Sequence, residues 1–241
     1  MDINLAIDSL KKYIFQEFQK TKVTIRPNLH RGHLRALSTE IEDGIAAFLL
    51  DILPQDYKVY VDASVRVGRK THRPDILIVD NQHVVRALVE VKTNMGWCRD
   101  ASSEIDKILA KHTEMISSGT ITCKFSNDTT VTAVYTPNVP VFLVAFTNEN
   151  CGADRHEANR STATSKNVKY FCLFAGWYGD ELSEADIKNF AADIQNIYSC
   201  FMQNSIAAVV PRCCFSFTEV LRHPDAISRN FFYCLFIRDF S

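Results

Sequence analysis

The chain has 241 residues, of which 46% are hydrophobic and 23% charged, and its formal net charge is −1. That length can bury a substantial core, and the near-neutral charge excludes a protein that binds nucleic acid through its overall charge alone. No stretch of about 18 apolar residues occurs, which argues against a membrane span, and the first residues lack a signal-peptide pattern. The eight cysteines include no CxxC pair, which favours reduced thiols in a cytoplasmic protein over disulfides or a zinc site.

Two amphipathic helices are predicted at the start of the chain. Residues 3–18 place apolar side chains at helical spacing, namely Ile3, Ile7, Leu10, Ile14 and Phe18. A polar, basic connection follows. A second apolar stripe begins at Leu34, continues to Ile52 and is ended by Pro54, so it predicts a second helix over this stretch.

From residue 57 the hydrophobic period changes from helical to alternating. Residues 57–67 alternate as one half-buried strand should, and residues 75–79 and 84–92 are short and rich in β-branched side chains. Asn81-Gln82 lies between the last two segments. We therefore expect these two strands to pair as a hairpin.

The second half of the chain continues the alternation of helices and strands. The predicted elements are a helix over 102–116, a hairpin over 120–136, a covered strand at 139–146, a polar loop at 147–167, a buried strand at 170–176, a helix capped by Ser183 that continues to Phe201, and a final strand at 231–237. This order predicts an α/β fold in which helices flank a central mixed sheet. We expect a single domain over residues 1–241.

The segment with the clearest chemical signal is residues 73–94. Asp75 opens one strand of the predicted hairpin, and the other strand ends in Glu90-Val91-Lys92. Side chains alternate across a strand, so Glu90 and Lys92 share one face, and pairing of the strands would bring Asp75 to Glu90. Two carboxylates can bind Mg²⁺ while leaving positions for water and phosphate, and a lysine can orient water or hold the phosphate. The alternative is an exposed aspartate and a surface Glu/Lys pair on an edge strand.

Pro74-Asp75 and Glu90-Val91-Lys92, in these strands and after a helix, resemble the motif of the PD-(D/E)XK nuclease superfamily, which includes type II restriction endonucleases. The resemblance covers about residues 34–146 and implies a restriction-endonuclease-like core. It implies hydrolysis of phosphodiester bonds with Mg²⁺, for which Mn²⁺ could substitute. Asp75, Glu90 and the backbone carbonyl of Val91 would then be the metal ligands, and Lys92 a catalytic residue.

Such nucleases commonly carry a further glutamate on the helix before the sheet, and Glu40 and Glu42 are the candidates. With residues placed at helical intervals, Glu42 lies about 60° from the centre of the apolar stripe and Glu40 about 140° from it. We therefore choose Glu42 as the fourth catalytic residue. A solvated acid on the helix surface is the alternative.

Two basic runs, at residues 20–35 and 66–73, lie on either side of this helix in the sequence. A local basic surface can bind phosphates on a protein that is neutral overall. The residues predicted to contact nucleic acid are Arg31, Arg35, Arg69, Lys70 and Arg73. Basic residues in the 147–167 loop, Arg155, His156, Arg160 and Lys166, could also grip DNA. A solvated surface is the alternative for each group.

The resulting hypothesis is a Mg²⁺-dependent endodeoxyribonuclease, with a restriction-type enzyme as the leading subclass. The chain outside the motif-bearing core would serve target recognition and could form a homodimer. One alternative is a repair or recombination nuclease that reads DNA structure. Another is a catalytically silent nucleic-acid-binding module on the same fold. RNA stays open as a substrate.

Overall fold

The computed structural model describes residues 2–22, 37–95, 101–149, 151–176 and 182–209, with side chains described as far as residue 198. By its internal contacts the chain divides into one unit of Met1–Tyr198 and a second of Ser199–Ser241. The final strand predicted at 231–237 lies outside the described residues. A single domain over residues 1–241 stays a prediction.

Helices form wherever the sequence showed a continuous apolar stripe, and once where it did not. They are α1 (Ile3–Lys22), α2 (Ser38–Ile52), α3 (Ala101–Ser118), α4 (Ala153–Ser165) and α5 (Ile187–Val209). The stripe of α2 buries large side chains such as Ile41, Ile45 and Phe48, each contributing roughly 1.5–3 kcal/mol. Gly44 allows α1 to approach α2 closely, because a Cβ there would lie 3.0 Å from side-chain atoms of Leu10 and Tyr13.

The strands belong to two sheets. They are β1 (Lys58–Val61), β2 (Ser64–Val67), β3 (Lys70–His72), β4 (Ile76–Val79), β5 (Val85–Asn94), β6 (Thr120–Lys124), β7 (Thr130–Val134), β8 (Val141–Thr147), β9 (Lys169–Ala175) and β10 (Ser183–Glu184). Within the described residues, the larger sheet has the order β1-β4-β5-β8-β9-β10 and the smaller one β3-β2-β6-β7. In the larger sheet β5, β8 and β9 run parallel, and the other pairs are antiparallel.

Each face of the larger sheet is covered by its own hydrophobic core. One core joins α1, α2 and α5 to alternate sheet residues such as Val89 and Val91. The other joins α3 and the smaller sheet to the opposite set, which includes Leu77, Leu88 and Leu143. A central mixed sheet flanked by helices is therefore confirmed. Because Glu90 and Lys92 alternate with Val89 and Val91, they lie on the α3 face.

The prediction of one strand over residues 57–67 was wrong. Asp62 has a left-handed φ of 43° and ends β1. After this break, β1 pairs with β4 in the larger sheet while β2 pairs with β3 and β6 in the smaller one. Alternation continues on both sides of the break, so the sequence pattern alone does not reveal it.

Two further predictions in the second half were wrong. The segment 147–167 contains α4, which buries only Asn159 and Ala163 and so lacks the apolar stripe that would have indicated a helix. Ser183 is not a helix cap, because it pairs with Ala175 in the short strand β10, and α5 begins only at Ile187. Within the described residues, no helix is both long and apolar enough to span a membrane.

Candidate active site

Asp75 and Glu90 meet where the β4–β5 hairpin opens. Ile76 lies opposite Val89 in this antiparallel pair, which places Asp75 opposite Glu90. Asp75 is also tied to the second strand directly, since its Oδ2 accepts a hydrogen bond of 2.7 Å from the backbone N–H of Val91. The structure therefore brings the two predicted carboxylates together. The register that does so includes a shift that the sequence did not predict, since Val79 pairs with Val85 but Ile78 pairs with Ala87.

Glu90 is almost fully buried, with 3% of its surface exposed. Burial raises its pKa, and the nearby charge of Asp75 raises it further. Opposing these effects is Lys111 on α3, whose Nζ lies 2.5 Å from Oε1 of Glu90. A carboxylate this deeply buried needs a cation beside it to stay ionised, because burial costs the charged form its contact with bulk water.

Lys92 lies two residues beyond Glu90 on the same face of β5 and is half-buried. Its positive charge lowers the pKa of both Glu90 and Glu42, so it stands within electrostatic reach of each. Lys92 is thus the third predicted residue that the structure brings to this sheet edge.

Glu42 reaches the same edge from α2. Burial and the charges of Asp75 and Asp62 raise its pKa to about 7. Glu40, by contrast, exerts its charge on Tyr13 and Lys20 of α1. Of the two glutamates weighed from the sequence, the structure therefore places Glu42 beside Asp75.

Lys111 was missed by the sequence reasoning. It follows the buried Ile108 by three residues and precedes the buried Met115 by four, so it lies on the sheet-facing stripe of α3. A lysine on a buried stripe is a signal that could have been read, because burying an ammonium requires a partner. Its partner, Glu90, could be identified only from the packing of α3 on the sheet.

The predicted nucleic-acid contacts are divided by the structure. Arg31 and Arg35 lie outside the described residues. Arg69 is exposed. Lys70 forms an ion pair with Glu114, in which Nζ of Lys70 lies 2.7 Å from Oε1 of Glu114. Arg73 lines an open cavity of about 530 Å³ together with Asp62, Lys124 and Phe125. The negative charge of Asp62 also raises the pKa of Glu42. This cavity therefore adjoins the carboxylate cluster, by which we mean Asp75, Glu90 and Glu42.

The basic residues of 147–167 lie on or just after α4 rather than in a loop. Two of them are held by acids of neighbouring elements. The Arg160 guanidinium lies 2.7 Å from Asp186, and Nζ of Lys166 lies 2.6 Å from Asp106. These pairs tie α4 to its neighbours, so the prediction of a loop here was wrong. A role of these residues in DNA binding stays a prediction.

The donor set at the hairpin suits a divalent cation with open coordination positions. Within the part of the chain that the structure describes, no group of three or more His, Cys, Asp or Glu side chains is placed so that it could hold a metal ion. Asp75 and Glu90 nevertheless face each other, and a cationic atom, Nζ of Lys111, already lies against Glu90. Two carboxylates with room for water and phosphate are the usual setting for Mg²⁺. The carbonyl of Val91 as a further ligand stays a prediction.

The similarity that comparisons with known proteins give is one of structure rather than of sequence. No protein family model matches the chain, and no curated protein is significantly similar to it in sequence. Among solved structures, the chain resembles NucC of P. aeruginosa ATCC27853 in its cAAA-bound form, with a TM-score of 0.42 and 14% identity. The similarity covers 84% of this chain and 98% of that one. At that level of similarity, function has to be inferred from this chain's own residues.

Proposed function

We propose that this chain is a metal-dependent nuclease that hydrolyses phosphodiester bonds in DNA. The observation that carries the proposal is the meeting of Asp75 and Glu90 across the hairpin, with Lys92 on the same face. Two acids that face each other, one of them as deeply buried as Glu90, weaken a fold unless a cation joins them. A metal cation held between Asp75 and Glu90, with Lys92 beside it, would place two positive charges where a phosphodiester group could bind.

Asp75 and Glu90, with the Val91 carbonyl, would hold Mg²⁺, and Mn²⁺ could take its place. The ion, when bound, supplies positive charge for the scissile phosphate and lowers the pKa of nearby water. Lys92 would bind a non-bridging phosphate oxygen and fix the phosphorus relative to these residues. Its ammonium also offsets negative charge that grows as the phosphorus gains a fifth oxygen.

Glu42 would take the proton of the attacking water. Its pKa of about 7 lets it exist in both protonation states near neutral pH, which suits a group that must accept and then release a proton. The water oxygen bonds to phosphorus, one bridging P–O bond breaks, and the departing oxygen is protonated by solvent. The products are a phosphomonoester and an alcohol.

The finer proposal is a restriction-type endodeoxyribonuclease, and sequence-specific ends would distinguish it from a nuclease that reads DNA structure. The test is incubation of the purified chain with covalently closed plasmid, a linear duplex and a branched duplex, with Mg²⁺ or Mn²⁺, followed by sequencing of the product ends. Asp75→Asn is the matched inactive variant, because it keeps the size of the side chain and weakens the metal site.

Cleavage by the wild type and not by Asp75→Asn supports the proposal. Binding of DNA without cleavage of any DNA or RNA substrate, identical in the two proteins, would instead identify a catalytically silent nucleic-acid-binding module.

A further inference from the structure

The ion pair between Lys111 and Glu90 has no role in the reaction proposed above. Glu90 is 3% exposed and Lys111 22% exposed, so water screens the pair weakly. The 2.5 Å separation is a direct contact between the ammonium and Oε1. One of the two carboxylates proposed to bind the metal is therefore already paired with a positive charge supplied by the chain itself.

Helix α3 holds Lys111 firmly in this position. On either side along the helix, Ile108 and Met115 are buried in the core between α3 and the sheets. The neighbouring residue, His112, is hydrogen-bonded through Nδ1 to the hydroxyl of Tyr135 at 2.7 Å. Because the helix is fixed at both points, Lys111 can leave Glu90 only by changing its own side-chain rotamer.

A divalent cation and the Lys111 ammonium cannot both lie against Glu90 without repelling each other. We propose that Lys111 is the counter-ion of Glu90 in the metal-free protein and that a divalent cation must displace it in order to bind. This inference rests on the proposed metal site. Lys111 is thus a positioning residue, which holds the Glu90 carboxylate through their ion pair and sets the cation concentration at which the site fills.

The proposal predicts that removal of the Lys111 charge tightens metal binding. Binding of Mn²⁺ alone to the full chain is measured by electron paramagnetic resonance of the free ion near pH 7.5. Lys111→Met, which keeps most of the side-chain volume, should bind Mn²⁺ roughly tenfold more tightly than wild type, the scale of repulsion between a dication and an ammonium a few ångströms away in a hydrated site.

Lys107→Met is the matched control. Lys107 lies one turn earlier on the same helix and is 67% exposed, and it pairs with Glu104 rather than with Glu90. Its Mn²⁺ affinity should stay within about twofold of wild type, since an exposed pair is largely screened. If Lys111 merely held α3 in place, Lys111→Met would bind Mn²⁺ more weakly than wild type, because its metal site would be loosened. Unchanged or weaker Mn²⁺ binding by a folded Lys111→Met overturns the proposal.

Lys111→Arg keeps the test decisive if Lys111→Met does not fold. Arginine preserves the charge and can bind a carboxylate through two N–H groups, so it should compete more strongly and weaken Mn²⁺ binding by several-fold. Tighter or unchanged binding by this variant would refute competition. Mn²⁺ binding that Asp75→Asn abolishes, but that does not respond to Lys111, overturns this inference alone. If wild type binds no Mn²⁺ at all, both the inference and the proposed metal site fail.

Discussion

The β4–β5 hairpin carries an acidic residue at each end, and the two ends are built differently. At the turn, Asp80 is buried and its oxygens accept hydrogen bonds from the N–H groups of Gln82 and Val84 and from the Arg86 guanidinium. At the open end, the Asp75 carboxylate accepts one hydrogen bond within the described residues, from the backbone N–H of Val91. Asp75 also faces another acid, Glu90. A carboxylate with several donors stabilises a turn, whereas carboxylates that face each other are suited to hold a cation.

The largest expected effect tests the turn. Arg86→Ala should lower the free energy of unfolding by about 3 kcal/mol, because it leaves the Asp80 carboxylate buried without its charged partner. The measurement is urea denaturation at pH 7. Cleavage per folded molecule should be unchanged, since Arg86 lies at the far end of the hairpin. If Arg86→Ala instead lost activity and kept its stability, the turn end of the hairpin would not have the purely structural role proposed for it.

The reverse pattern is expected at the open end. Lys92→Ala should reduce the cleavage rate by roughly a hundredfold or more, the loss typical when a charge positioned for the transition state is removed. DNA affinity should stay near that of wild type, because one ammonium is a small part of a phosphate-binding surface. Single-turnover cleavage and a binding titration in Ca²⁺ separate these quantities. Equal losses in binding and cleavage would make Lys92 a simple DNA contact.

Glu42 gives a smaller effect that depends on pH. Its pKa is raised in the folded chain from an ordinary 4.5 to about 7, so the stability that it contributes is fully present below about pH 4.5 and is lost as the pH rises through 7. Glu42→Gln has no such loss. It should match wild type near pH 4.5 and be more stable by about 1 kcal/mol at pH 8, an amount reduced by water around the half-exposed side chain.

The measurement for Glu42 is denaturation in EDTA at several pH values. Glu40→Gln is the matched control, because Glu40 acts on Tyr13 and Lys20 instead of on the carboxylate cluster. The same pH dependence in wild type and Glu42→Gln would show that Glu42 does not share the site.

The smallest effect concerns phosphate contacts. Arg73→Ala should reduce the slope of log affinity against log salt by about one unit, the change expected for one lost contact. Lys70→Ala is the comparison within the same basic run, and because Lys70 is paired with Glu114 its removal should change the slope less. If wild type, Arg73→Ala and Lys70→Ala all show the same salt dependence of DNA affinity, the basic run at 66–73 does not contact phosphate and is a solvated surface.

Much of this arrangement could be predicted because it is local in sequence. The hairpin pairs Asp75 with Glu90 over a short stretch of chain, although a one-residue register shift between Ile78 and Val79, which the alternating pattern does not show, is needed to align them. The helical period likewise distinguished Glu42 from Glu40. What the sequence did not reveal depends on distant packing: Lys111 reaches Glu90 only because α3 lies on that face of the sheet, and the break at Asp62 shows only when β1 and β2 join different sheets.

The locality of the hairpin also has a kinetic consequence. Asp75 and Glu90 are fifteen positions apart and are joined by neighbouring strands, whereas Lys111 follows Glu90 by twenty-one and must wait for α3 to dock. Contacts close in sequence can form early, because they cost little loop-closure entropy. During refolding the two acids would then meet before their internal counter-ion arrives. Divalent cations or mild acid in the refolding buffer should relieve that transient repulsion and speed folding, which stopped-flow tryptophan fluorescence can follow.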